Sequence, residues 1–173
     1  DLGRIFDNSI AFDELNASLM EGIREIKICA CGTSYHAGLT ASYLFERLAK
    51  VKCSVEIASE FRYKEPLLSN DTLFIVISQS GETADTLEAL KMAKKNGLKS
   101  IVVCNVDNSS MTRVADYAIL TRAGIEKGVA STKAFSTQVV VLWMLALYFA
   151  KYKKSIDTQT LQNEIHALRE VPS

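Results

Sequence analysis

The chain has 173 residues, and its 20 lysines and arginines balance its 20 aspartates and glutamates, so the formal net charge at pH 7 is zero. Hydrophobic residues make up 48% of the chain, which is typical of a globular domain and excludes a disordered segment. A neutral chain without blocks of like charge lacks the basic surface that attracts nucleic acids and acidic membranes, so neither is expected as a partner.

The cysteines indicate a reducing compartment. None belongs to a Cys-x-x-Cys pair, and all four lie within or beside apolar runs: Cys29, Cys31, Cys53 and Cys104. This pattern predicts buried, free thiols. No secretory signal is visible, and the longest apolar run, 139–150, is too short to span a bilayer, so we expect a cytoplasmic location. Because the chain opens at Asp1 and not at a methionine, we also expect it to be part of a longer protein.

The first half of the chain alternates predicted helices and strands. Apolar spacing predicts an amphipathic helix over 10–22. Residues 1–22 would then form a helical lead-in before the first strand. A strand at 25–31, a helix from about 35 to 50 and a strand at 53–57 follow. A single helical turn is predicted over 58–63.

The second half continues this alternation. It contains predicted strands at 72–77, 100–105 and 117–120 and predicted helices at 84–95, 132–151 and 158–169. Strands that alternate with helices of ten or more residues are typical of βαβ units. The predicted fold class is therefore α/β, a three-layer α/β/α arrangement with a mostly parallel sheet, in a single domain over 1–173.

The most informative stretch is Ser78-Gln79-Ser80-Gly81-Glu82-Thr83, which we call the hydroxyl loop. It lies between a predicted buried strand and a predicted helix. A helix N-terminus offers unpaired N–H groups and the positive end of the helix dipole, and both favour an anion. The three hydroxyls can donate further hydrogen bonds without adding positive charge. The stretch therefore predicts a site for the phosphate group of a small, neutral ligand.

Two other loops join a small residue to hydroxyls at a predicted helix start, at 31–34 and at 128–133. In an open α/β sheet, ligands bind beyond the carboxyl ends of the strands. A ligand with one phosphate and several hydroxyls would therefore contact all three loops.

These hydroxyls also have a purely structural interpretation, because Ser and Thr are common N-caps. Thr33 or Ser34 could cap one helix, and Ser131 or Thr132 could cap another. A cap needs one hydroxyl, whereas the hydroxyl loop supplies three, which favours a ligand at that loop. Glu82 fits a partner of the helix dipole or a capping-box residue better than a catalytic base.

Other patterns exclude several functions. The chain lacks both the G-x-G-x-x-G fingerprint and the P-loop motif. His36 and His166 lack the spacing of metal ligands, so no metal and no cofactor is predicted. We expect a surface or packing role for His36, and a solvated face or partner interface for the charged cluster at 60–64. Lys133 could either approach a phosphate or join an ion pair.

Four blocks of sequence, in this order, resemble the sugar isomerase (SIS) domain family. They are Cys-Gly-Thr-Ser at 31–34, Ala-Ser-Glu-Phe-Arg-Tyr at 58–63, Ser-Gln-Ser-Gly-Glu-Thr-Ala-Asp-Thr at 78–86 and Gly-Val-Ala-Ser-Thr-Lys-Ala-Phe at 128–135. The resemblance extends from about residue 20 to the end and implies an SIS-type fold with flavodoxin-like, nucleotide-binding-like topology. It is closest to members that make glucosamine 6-phosphate from fructose 6-phosphate and glutamine, the first step of hexosamine biosynthesis.

This resemblance implies that the chain is the first of two tandem SIS domains in a longer transferase, which also has a glutaminase domain. It further implies binding of a hexose 6-phosphate through eight residues: Thr33, Ser34, Ser78, Gln79, Ser80, Thr83, Val129 and Ser131. No catalytic residue carries over, because in the family the acid/base groups belong to the second SIS domain. The chain alone would then bind the sugar without turnover, and would form a homodimer or pair with the second SIS domain.

Two alternatives stay open at this point. The first is a non-catalytic SIS module that senses phosphosugars, although the basic helix-turn-helix segment expected of such a regulator is absent. The second is a complete small phosphosugar isomerase. That reaction requires a local base to move a proton between two carbons, and His36 is the only residue that could supply one.

Overall fold

The computed structural model describes residues 4–6, 9–124 and 133–171. Near the N-terminus, strand β1 (Ile5–Phe6) pairs antiparallel with strand β2 (Ser9–Ile10). A short 3-10 helix follows at Ala17–Met20, with the side chain of Asn16 as its N-cap.

The predicted helix over 10–22 is therefore wrong. The apolar residues that suggested it, such as Phe12 and Leu19, are indeed buried. They are buried because this segment lies against a later helix, where the Phe12 ring meets the Tyr148 ring edge to face at 5.6 Å. Apolar spacing reports which side chains are buried, and an irregular segment packed on a core can show the same spacing as a helix.

The main sheet has five strands, and every neighbouring pair is parallel. They are β3 (Glu25–Ala30), β4 (Lys52–Ile57), β5 (Thr72–Ser78), β6 (Lys99–Cys104) and β7 (Tyr117–Leu120). Their order across the sheet is β4-β3-β5-β6-β7, the flavodoxin-like order. The predicted strands and the predicted three-layer fold class are confirmed.

Helices cover both faces of this sheet. They are α1 (Gly32–Leu44), continued by a π-helical turn at Phe45–Ala49, then α2 (Ala58–Phe61), α3 (Ala84–Lys95), α4 (Ser110–Val114), α5 (Lys133–Lys153) and α6 (Thr158–Glu170). The predicted helices at 35–50, 84–95, 132–151 and 158–169 are confirmed within a few residues, except that Thr132 lies outside the described residues. Helix α4 was not predicted from the sequence.

The side chains of β5 show how the two cores are divided. Every residue of this central strand is buried, and alternate side chains point to opposite faces. Ile75 and Ile77 join a core formed with α1, α5 and α6. Phe74 and Val76 join a second core formed with α2, α3 and α4. Near-continuous apolar strands of this kind are typical of a parallel sheet covered on both faces.

Helix α5 is long and apolar enough, by length and composition alone, to cross a membrane. The core helix of a globular domain passes the same test. Ten of its residues are buried inside this fold, and the Phe149 ring packs edge to face on the Phe45 ring at 5.9 Å. Its apolar surface is therefore explained by packing against α1 and the π-helical turn.

Asp116 fixes the start of β6 and offers a test of this arrangement. Its carboxylate accepts hydrogen bonds from the Ser100 backbone N–H at 2.8 Å and from the Ser100 hydroxyl at 2.9 Å, and it pairs with Lys94. Partial burial raises the pKa of the Asp116 carboxyl, but the bonds from Lys94 and Ser100 outweigh that effect and hold the pKa below its ordinary value. A lowered pKa means that the ionised carboxylate stabilises the fold, and that this contribution is lost as the pH falls below about 4.

We expect Asp116→Asn to lower the free energy of unfolding at pH 7 by up to about 1 kcal/mol, the range of partly exposed ion pairs. The deficit should shrink at pH 3, because an Asp carboxyl with its ordinary pKa is then mostly protonated in the unfolded chain, and the ionised carboxylate of the folded protein contributes less stability. Urea unfolding of both proteins at the two pH values measures this. Asp13→Asn, at an exposed position, is the matched control. An equal deficit at pH 3 and pH 7 would contradict the ionic contribution.

Candidate functional site

The site lies where the strand order reverses. The chain forms β3 first, then adds β4 on one side of it and β5 on the other. Ala30 pairs with Ile77, so β3 and β5 end side by side at one edge of the sheet. The loops that leave these two strands therefore start at neighbouring positions. In sheets of this order, ligands bind in the crevice outside the carboxyl ends at such a switch point. The hydroxyl loop and residues 31–34, which the structure places at the N-cap and first turn of α1, border this crevice.

A side-chain contact joins α3, the helix after the hydroxyl loop, to Cys31. The Thr86 hydroxyl, in the first turn of α3, donates to the Cys31 sulfur at 3.9 Å. Thr86 is fully buried, whereas Cys31 is half-buried. The start of α3 and the end of β3 are therefore packed against each other, as the proposed shared ligand requires.

The hydroxyl loop is held closed by its own side chains. The Ser78 hydroxyl is buried and accepts a hydrogen bond from the Gly81 N–H at 3.0 Å, and it lies 3.2 Å from the Thr83 hydroxyl. The Ser80 hydroxyl accepts from the Glu82 N–H at 3.2 Å. The loop is thus ordered before any ligand arrives.

The helices that follow the two loops both start without a side-chain cap. Thr83 is the N-cap of α3 and Cys31 that of α1, and neither side chain accepts a capping hydrogen bond. By contrast, Ser109 caps α4 and Asp157 caps α6. Two adjacent helix N-termini therefore keep N–H groups available to an anion at the same edge of the sheet.

The interpretation of Thr33 or Ser34 as a cap is wrong. Both residues lie inside the first turn of α1, one and two positions after Gly32. Thr33 is exposed, and Ser34 is 7% exposed. Within the described part of the chain, no hydrogen bond reaches either side-chain hydroxyl. Both hydroxyls are therefore free to bind a ligand beside the hydroxyl loop.

A segment that sequence reasoning missed lies beneath the hydroxyl loop. Residues 105–111, which run from the end of β6 into the first turn of α4, direct three backbone N–H groups at the loop. The Asn105 N–H donates to the Gln79 carbonyl and the Met111 N–H to the Gly81 carbonyl, each at 3.1 Å, and the Ser110 N–H donates to a Glu82 carboxylate oxygen at 2.7 Å. The Asn-Ser-Ser run at 108–110 is the feature of the sequence that indicates a helix start here, since these residue types are typical of an N-cap.

Gly81 is required by the closeness of this contact. Its φ of +69° favours glycine, and a Cβ at this position would lie 2.1 Å from the Ser109 hydroxyl oxygen and 2.5 Å from the Ser109 Cβ. The backbone of the loop therefore rests directly on the start of α4, with no room for a side chain.

The charged side chains near the loop are already engaged. The hydrogen bonds from Ser110, helped by the charge of Arg113, lower the pKa of the Glu82 carboxyl, so Glu82 is a poor catalytic base. Asp85, in the first turn of α3, accepts from Arg62 at 2.5 Å. Lys64 pairs with Glu56 at 2.6 Å. The cluster at 60–64 therefore forms ion pairs on a partly exposed face.

The four thiols are free, and three of them are buried: Cys29, Cys53 and Cys104. Burial raises the pKa of Cys29 and that of Cys53 to about 12, so both stay protonated at neutral pH. His36 is exposed on α1 beside the Tyr35 ring, and His166 lies 3.3 Å from Glu170 on α6. Within residues 4–6, 9–124 and 133–171, no group of three or more His, Cys, Asp or Glu side chains could hold a metal.

Val129 and Ser131, in the third predicted loop, lie outside the described residues. Lys133 is the first residue of α5 and is exposed.

Comparisons with known proteins agree with this geometry. A model of the SIS domain matches residues 20–148. The glutamine–fructose-6-phosphate aminotransferase (isomerizing) of Campylobacter jejuni subsp. jejuni serotype O:2 is 59% identical over 172 residues, 99% of this chain and 28% of that protein. The protein of the same name from Helicobacter pylori is 48% identical over 166 residues, 92% of this chain and 28% of that protein. This chain thus spans little more than a quarter of the relatives it matches.

Solved structures give the same result. The C-terminal domain of glucosamine-fructose-6-phosphate aminotransferase from Francisella tularensis superposes with a TM-score of 0.92 at 49% identity, covering 97% of this chain and 48% of that one. Glucosamine-6-phosphate deaminase from Thermotoga maritima superposes with a TM-score of 0.70 at 27% identity, covering 87% of this chain and 46% of that one. In both, this chain corresponds to about half of the solved chain.

Proposed function

Because this chain belongs to the SIS domain family, we propose that it binds a hexose 6-phosphate in the crevice between β3 and β5. One observation carries the proposal: two helix N-termini without side-chain caps open side by side, each next to hydroxyls. The site attracts an anion through backbone dipoles and hydroxyls, which suits a phosphate on a neutral sugar.

Each loop has a distinct role in this proposal. The hydroxyl loop holds the phosphate, with Gln79, Ser80 and Thr83 as side-chain partners. Ser78 accepts from the Gly81 N–H, which leaves its own proton for the phosphate or for Thr83. Thr33 and Ser34 contact the sugar from α1. Val129 and Ser131, outside the described residues, are proposed to contact its hydroxyl end.

We further propose that the chain is the first of two tandem SIS domains of an isomerising glutamine–fructose-6-phosphate aminotransferase. Isomerisation requires a positioned acid or base, whereas Glu82, the carboxylate of the hydroxyl loop, has a lowered pKa and is already hydrogen-bonded. The chain by itself then binds sugar without turnover. A second SIS domain supplies the catalytic groups, the SIS domains pair or form a homodimer, and the enzyme works in the cytoplasm.

Ser80→Ala tests the phosphate assignment. Hydrogen bonds to a charged group contribute about 1.5–3 kcal/mol, so the variant should bind fructose 6-phosphate about 10- to 150-fold more weakly. Calorimetric titration with fructose 6-phosphate, glucose 6-phosphate and inorganic phosphate measures this, and Ser69→Ala, at an exposed serine outside the crevice, is the control. The assignment fails if the wild type binds none of the three, or if Ser80→Ala binds as the wild type does.

A second experiment separates an enzyme domain from a phosphosugar sensor. It measures the isomerisation of fructose 6-phosphate by the full-length protein and by this chain alone. A full-length protein that binds the sugar but never isomerises it would favour the sensor.

A further inference from the structure

The side chain of Glu82 presents an electrostatic problem for the proposed site. It lies two residues after Ser80 and immediately before the N-terminus of α3, where a phosphate is proposed to bind. A carboxylate directed at that phosphate would repel it. The structure shows the side chain engaged elsewhere, because its Oε1 accepts the Ser110 N–H at 2.7 Å, at the start of α4.

The start of α4 also compensates the charge of this carboxylate. Arg113, one turn along α4, lowers the pKa of the Glu82 carboxyl through its positive charge and donates to the Ser110 hydroxyl at 3.3 Å. Ser109 satisfies a different donor, the Thr112 N–H. The Glu82 carboxylate therefore completes the cap of α4 from a distant part of the chain.

Three anchors hold the hydroxyl loop on the 105–111 segment. They are the Gln79 carbonyl, the Gly81 carbonyl and the Glu82 carboxylate, and they lie on both sides of Ser80. Two of these anchors are backbone groups. The third is the only one of them that a side-chain substitution removes.

We propose that Glu82 is a positioning residue, which fixes the Ser80 hydroxyl for phosphate by anchoring the hydroxyl loop to α4. This inference rests on the proposed binding of a hexose 6-phosphate. It makes a prediction opposite to that of simple electrostatics. Removal of a negative charge beside a phosphate site should strengthen phosphate binding, whereas loss of the anchor should weaken it.

A pair of substitutions separates these effects. Glu82→Gln removes the charge but keeps an oxygen that can accept the Ser110 N–H, whereas Glu82→Ala removes both. Glu88→Ala is the control, since it removes one negative charge from an exposed position on α3. Calorimetric titration with fructose 6-phosphate gives the affinities, and urea unfolding identifies the conditions under which all four proteins are folded.

We expect Glu82→Ala to bind fructose 6-phosphate at least tenfold more weakly than the wild type, with Glu82→Gln and Glu88→Ala within about threefold of it. In Glu82→Ala, the Ser110 amide should also exchange its hydrogen faster. Equal or tighter binding by Glu82→Ala overturns the inference and leaves the proposed function in place. Equal weakening by Glu82→Gln and Glu82→Ala also overturns it, because the oxygen that Glu82→Gln keeps as an acceptor for the Ser110 N–H would then make no difference to binding. A wild type that binds no fructose 6-phosphate overturns the proposed function itself, and this inference with it.

Discussion

Gly81→Ala is expected to abolish measurable binding of fructose 6-phosphate and to lower the free energy of unfolding by about 2–4 kcal/mol. The added methyl group would lie 2.1 Å from the Ser109 hydroxyl oxygen, and the backbone φ of +69° disfavours alanine in any case. Strain in the left-handed region and overpacking each cost about 1–3 kcal/mol. Relief of the contact requires the hydroxyl loop to move away from α4, and this displaces the proposed phosphate ligands. Urea unfolding and calorimetric titration measure the two effects.

Gly97→Ala separates the two sources of this cost. Gly97 has a similar φ of +75°, but a Cβ there would meet nothing within 4 Å. Gly97→Ala should therefore lower the free energy of unfolding only by the cost of the left-handed backbone conformation. Its affinity for fructose 6-phosphate should equal that of the wild type. Ser109→Gly, combined with Gly81→Ala, should restore part of the binding because it removes the atoms that clash. A Gly81→Ala protein that binds as the wild type does would show that the loop does not need its contact with α4.

Phe149→Ala is expected to lower the free energy of unfolding by about 3–5 kcal/mol, the usual cost of removing a buried aromatic ring. The Phe149 ring is fully buried in α5, and it packs edge to face on Phe45 in the π-helical turn after α1. Few domains have more than 5–15 kcal/mol of stability, so the variant should be clearly less stable in urea unfolding.

Tyr152→Ala is the matched control on the same helix. Its side chain is 42% exposed, so its loss should cost much less than that of Phe149. Similar losses in the two variants would contradict the assignment of α5 as a core helix packed on α1.

The strands could be predicted from the sequence because the information is local. In β5, the run Leu73-Phe74-Ile75-Val76-Ile77 is apolar at every position, and this suffices to predict a strand covered on both faces. The lead-in at 10–22 could not be predicted in this way. Its apolar residues are buried by α5, which begins more than 100 residues later, and local spacing does not distinguish that packing from a helix.

The hydroxyl loop itself was determined by the sequence. Three hydroxyls and a glycine between an apolar strand and a helix start suffice to predict an anion site, because strand, turn and helix N-terminus are all set by neighbouring residues. Only the tertiary structure decided what supports that loop. The strand order puts β6 beside β5, so that Ser78 pairs with Cys104 and the segment after β6 comes to lie beneath the loop. The contacts of Gly81 with Ser109 and of Glu82 with Ser110 join residues nearly 30 positions apart, and such pairs are fixed by the register of the sheet and not by any local pattern.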